Sequence, residues 1–109
     1  MRITQNKKML QLWSKEIRAR DKVCQICGSN QRLQAHHILP KERWQEYKFE
    51  LMNGITLCAN CHKFGKYSVQ FGGLWFTEWL RINKPNYYHW CMQHLNYTHN
   101  VHKENIAEG

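Results

Sequence analysis

Two Cys-x2-Cys pairs, Cys24/Cys27 and Cys58/Cys61, with thirty residues between them, constrain this chain more than any other feature. Each pair presents two thiols from one tight turn, and two such turns close a tetrahedron around Zn²⁺. Glycine follows the first pair in "CQICG", where it lets the backbone turn beneath the metal. Four thiolates leave no open coordination position, so a zinc held by all four cysteines is expected to fold the chain and not to act on a substrate. At 109 residues the chain is one domain by length, with a core small enough to need such a staple. The fifth cysteine, Cys91, lies on an aromatic stripe and reads as a small buried hydrophobe. The start "MRITQNKKML" lacks the apolar segment of a secretion signal, and no run of roughly 18 apolar residues is present to span a membrane. A cytoplasmic setting, where thiols stay reduced, is the expectation.

Charge points to the partner. Sixteen Lys and Arg stand against eight Asp and Glu, a formal +8. Residues 1 to 50 hold eleven basic and five acidic groups, so +6 of that excess falls in the first half. A basic face of this kind suits a polyanion, most simply nucleic acid, although phosphate charge alone does not separate DNA from RNA. The blander role of such charge is solubility. Lys7, Lys8, Lys15, Arg18 and Arg20 surround the apolar stripe of the first segment. Lys22, Lys41, Arg43, Lys63 and Lys66 can extend the track toward the centre.

The order of elements follows from periodicity. Met9, Trp13 and Ile17, with Leu10 beside them, recur every four residues and predict a basic N-terminal helix within 1–22, with Thr4 as its N-cap. "QRLQAHHIL" predicts a short strand closed by Pro40, and "NGITLC" a turn and a second strand. Residues 41 to 52 form a polar and aromatic connection, and "CANCHKFGK" opens a helix. A break at Gly72 and Gly73 leads to an amphipathic helix on Leu74, Trp75, Trp79 and Leu80. Pro85 suits the first position of a last helix, with Tyr87, Trp90, Cys91, His94 and Leu95 on one stripe and a frayed tail from Asn96. These C-terminal aromatics are read as core packed on the zinc module, in preference to a platform for unpaired bases. His89, His94, His99 and His102 fit no single helix face and are read as polar surface positions.

Within this frame the unusual feature is "AHHILP", two adjacent histidines at a strand end, followed by "NGITLC" and "CANCH". Taken with "RDKVCQICG", the stretch from Arg20 to His62 resembles the HNH endonucleases, in the zinc-bound branch common among phage and restriction nucleases. The resemblance implies an α+β fold with a small ββα-metal, treble-clef-like core over residues 23–68. That core would be flanked by the N-terminal helix and by aromatic helices over 74–96, all in one nuclease domain. It implies catalytic roles for His37, as general base, and Asn53, as the brace of the loop between the strands. It makes His36 and His62 ligands of a catalytic divalent metal, and Cys24, Cys27, Cys58 and Cys61 ligands of structural zinc. The implied activity is metal-dependent hydrolysis of DNA phosphodiesters, leaving 5′-phosphate and 3′-hydroxyl ends.

The residue chemistry agrees. A base working near pH 7 must be partly neutral, which histidine's reference pKa of about 6.5 allows. Neighbouring strand residues point to opposite sides, so His36 and His37 can serve different sides of one phosphate. The chain departs from many relatives one turn beyond His62, where Lys66 stands in place of a third histidine. Two imidazoles suit Mn²⁺, Ni²⁺ or Zn²⁺, whereas abundance favours Mg²⁺ or Mn²⁺. No sequence-reading motif is present, so duplex DNA of low specificity, or targeting by a protein partner, is expected. The alternative is a zinc-stabilised DNA-binding or adaptor module without catalysis, and a further one is a nuclease directed at RNA.

Overall fold

The computed structural model describes residues 2–64 and 73–98. Helix α1 spans Arg2–Asp21. It buries Trp13 and Ile17 while its lysines face solvent, as an amphipathic surface helix should. Met9, expected on the same stripe, is largely exposed because the stripe is covered only toward the C-terminal half of the helix. Because the helix begins at Arg2, Thr4 lies inside it and does not cap it. The helix ends as Lys22 enters the left-handed region (φ 70°), its N–H donating to the Arg18 carbonyl.

Strands β1 (Leu33–His37) and β2 (Gly54–Cys58) form one antiparallel pair, with His37 opposite Gly54 and His36 opposite Ile55. All five residues of β2 are buried. Between the strands the chain makes two single 3₁₀ turns, Gln45–Tyr47 and Leu51–Asn53, and buries Trp44. After β2 the expected helix takes the form of one wide π-helical turn, Asn60–Phe64. Helices α2 (Gly73–Asn83) and α3 (Pro85–Thr98) follow, with Pro85 in the first turn of α3. The chain is a small α+β structure with a two-stranded antiparallel sheet, consistent with a ββα-metal core.

A two-stranded sheet leaves an open edge on β2, and the end of α1 closes it. The Thr56 N–H donates to Asp21 Oδ2 at 2.8 Å, the Thr56 hydroxyl donates to the Ile17 carbonyl, and the Gln25 N–H donates to the Thr56 carbonyl. Arg20 reaches across the same seam, donating to the carbonyls of Leu51 and Gly54 at 2.8 Å each and pairing with Asp21. Arg20 therefore belongs to the fold, a correction to its expected place in a phosphate track.

The core has two parts. Cys24, Ile55, Leu57 and Cys58 meet Phe76 and Leu80 of α2, while Leu39 and Trp44 meet Cys91 of α3. The α2 stripe is thus Phe76 and Leu80, not Leu74, which is 88% exposed. Burial drives the Cys91 thiol up to about 12, in keeping with an inert core residue. His94 is not a surface group. It packs between Trp90 and Tyr47 and donates from Nδ1 to the Trp90 carbonyl. Gly72, Lys66, His99, His102 and the tail beyond Thr98 lie outside the described residues, as does the Lys63 side chain. Among the described residues no helix is long and apolar enough to cross a membrane.

Candidate functional site

The two cysteine turns come together as their spacing requires. The sulfurs of Cys24, Cys27, Cys58 and Cys61 all lie within 4.8 Å of one another, with Cys27 and Cys58 at 3.6 Å. Sulfurs sharing one tetrahedral zinc at about 2.3 Å sit roughly 3.8 Å apart, so the group fits that ion. Gly28 adopts φ 80° and donates its N–H to the Cys24 carbonyl, which makes the first turn tight. The four thiols differ in how readily they ionise. Burial opposes ionisation of Cys24, yet backbone N–H groups of Cys27, Cys58 and Ile26 aimed at its sulfur bring it down to about 7. Cys61 is held well above the ordinary thiol range by burial and by the neighbouring sulfurs. A divalent ion on these sulfurs would offset the charge that their thiolate forms bring together.

The zinc turns fix both ends of the histidine site. β1 runs from the first turn into His36 and His37, and His62 follows Cys61 directly in the wide turn. The adjacent histidines diverge. His36 faces His62, ring centroids 4.9 Å apart, and meets Phe76 of α2 edge-on at 5.7 Å. Burial, followed by the proximity of His62 and His37, pushes the His36 pKa down to about 4, so its ring is neutral with a lone pair available. His62 Nδ1 donates to Gln34 Oε1 at 3.0 Å, which leaves Nε2 as the nitrogen bearing the lone pair. A side-chain acceptor of this kind fixes the orientation of an imidazole ring.

His37 turns the other way. Its Nε2 donates to the Lys48 carbonyl at 2.8 Å, so Nδ1 is the basic nitrogen. Burial lowers its pKa, the Lys48 hydrogen bond opposes that, and Lys41 lowers it further. His36, His37 and His62 line one cleft of about 540 Å³, together with Lys41, Phe76 and Thr77.

Asn53 is fully buried beneath this arrangement. Its Oδ1 accepts from the Leu39 N–H at 2.7 Å, and its Nδ2 donates to the carbonyls of Leu39 and Tyr47. The side chain thus ties both ends of the interstrand connection together, one residue before the Lys48 carbonyl that holds His37.

Residues 24–64 match the family model described as HNH endonuclease. Over that segment the chain is similar to the HNH endonucleases. No curated protein and no solved structure matches it. The matched segment holds the four cysteines, both strands, Asn53 and the three histidines. It leaves out α1, α2 and α3, yet Phe76 and Thr77 of α2 line the cleft.

Several contributors to the site carry no motif. Gln34 sits two residues before His36, on the same face of β1, and strand alternation is the signal that finds it. The Lys48 carbonyl is backbone and has no side-chain signature. Phe76 and Trp13 come from outside the HNH segment, and their apolar spacing reads only as core.

Proposed function

We propose that this chain is a metal-dependent DNA endonuclease that hydrolyses phosphodiester bonds with His37 as general base. The observation that carries the reading is the fixed imidazole of His37, donating from Nε2 to a backbone carbonyl beside a cleft it shares with His36 and His62. Residues 1–109 are taken as one nuclease domain, because α1 packs on β2 on one side of the matched segment and α2 and α3 pack on its core from the other. The thiols of Cys24, Cys27, Cys58 and Cys61 would hold the structural zinc.

In this reading His37 Nδ1 accepts a proton from water as the water oxygen bonds to phosphorus. The bond from phosphorus to the 3′ oxygen breaks, the 3′ oxygen gains a proton from solvent, and a 5′-phosphate remains. Burial shifts the His37 pKa down from its ordinary value, which favours the neutral ring that can accept that proton. His36 and His62 would hold a divalent cation, which offsets charge on the phosphate and the departing oxygen. Gln34 keeps the His62 ring oriented for that role. Asn53 keeps the connection that carries the Lys48 carbonyl in place. Lys41, exposed at the cleft, is available to a phosphate oxygen.

Plasmid nicking by the zinc-loaded protein with added Mg²⁺, Mn²⁺ or Ni²⁺ tests the proposal. Cleavage is expected with at least one of these ions, and His37→Ala should lower it by roughly 100-fold or more while leaving zinc content unchanged. No metal-dependent cleavage at any ionic strength would favour a DNA-binding or adaptor module. Faster cutting of RNA than of matched DNA would overturn the substrate.

A further inference from the structure

The imidazole of His37 is constrained twice. In its own plane it is held by the Lys48 carbonyl, and against its face lies the indole of Trp13 from α1. The two ring centroids are 3.9 Å apart and the planes are within 6° of parallel. Trp13 is itself fixed: it is 6% exposed, and its Nε1 donates to the Glu50 carbonyl at 2.8 Å. Room for it is made by Gly54, the residue opposite His37 in the sheet. A Cβ built on Gly54 would come within 2.5 Å of Trp13 Cζ2 and 2.6 Å of Ile17 Cδ1. Gly54, the first residue of β2, thus serves as the floor on which the indole rests.

We propose that Trp13 is a positioning residue for the reaction, a flat wall that sets the plane of the His37 ring and makes α1 part of the active site. An in-plane hydrogen bond leaves a ring free to tilt about that bond, and a parallel aromatic face removes the tilt. Together they hold Nδ1 on one line into the cleft, where a proton-accepting nitrogen must be placed closely to be effective. The role rests on the reading of His37 as base.

Trp13→Phe keeps a flat face and loses the Nε1 bond, whereas Trp13→Leu keeps apolar bulk and loses the face. With zinc-loaded proteins, Trp13→Leu should lower kcat for plasmid nicking by roughly 10- to 100-fold with KM little changed. Trp13→Phe should stay within a few-fold of the wild type. In the wild-type NMR spectrum the ring protons of His37, assigned by their loss in His37→Gln, should be displaced upfield by the stacked indole. That displacement should persist in part in Trp13→Phe and vanish in Trp13→Leu. A folded, zinc-loaded Trp13→Leu with wild-type kcat would overturn the inference, as would His37 ring protons at ordinary positions in the wild type. Should Trp13→Leu fail to fold, the wild-type proton positions and the kcat of Trp13→Phe still decide it. A wild type that stacks normally but never nicks DNA would instead overturn the nuclease reading, and the catalytic role of Trp13 with it.

Discussion

Asn53 shows how much one side chain can carry at the residue scale. A fully buried carboxamide offers one acceptor and two donors here, and its three hydrogen bonds go to backbone groups of Leu39 and Tyr47. Substituting Asn53→Ala strands those groups in the interior, and the expected loss is about 2–4 kcal/mol in chemical denaturation of the zinc-loaded protein. Asn53→Asp is a sharper probe. It keeps an acceptor for the Leu39 N–H but turns an oxygen toward two carbonyls, so it should destabilise at least as much as alanine despite its matching shape. An aspartate variant as stable as the wild type would mean that shape, not donation, is what the site requires. In the sequence, Asn53 is legible as the first half of an Asn-Gly turn and as part of a family resemblance. Its partners are not legible, because they are backbone atoms fourteen and six residues away with no side-chain signature of their own.

Elements show the same division. The four-residue recurrence of Trp13 and Ile17 predicts a helix with a buried stripe, and α1 buries both. What that stripe packs against depends on volumes at Gly54, which the sequence presents only as a turn residue. The helix–strand seam makes a direct prediction. Gly54→Ala places a methyl group within 2.6 Å of Ile17 and closer still to Trp13, so those side chains must shift, or α1 must move away from β2 with them. Overpacking of this kind costs roughly 1–3 kcal/mol, which a urea midpoint on the zinc-loaded protein would register. The carbonyl of Gly54 also accepts from Arg20, so displacement of the helix should weaken that bond too. An unchanged midpoint would show that the seam tolerates the extra volume by side-chain rotation alone. For α2 the spacing misleads, because Leu74 precedes the turn that is covered. Period alone fixes which residues share a face, not where along the helix its cover begins.

At the scale of the whole molecule, a zinc held by the four thiols would share the work of stability with the helices. The larger of the two core clusters includes Cys24 and Cys58 themselves, so the metal ligands and the apolar interior are one unit. Cys24 contributes from the turn after α1, and Cys58 is the last residue of β2. Losing the ion would therefore loosen both strand ends and the approach of α2 together. Structural zinc in small domains supplies about 10–16 kcal/mol, comparable to the roughly 5–15 kcal/mol of a typical domain's net stability. Chelation is accordingly expected to abolish the cooperative thermal transition and to expose Trp13 and Trp44 to solvent, seen as a red shift of tryptophan emission. Cys58→Ser should reproduce that loss together with its zinc, because one missing thiolate opens the tetrahedron from the buried side. His37→Ala should bind one zinc per chain and melt cooperatively, since its ring lies against α1, at the opposite end of β1 from the zinc turns. A chelated protein that still melts at the same temperature would transfer the stabilising role to the helices. The sulfur cluster would then be a site the fold carries, and not one on which it depends.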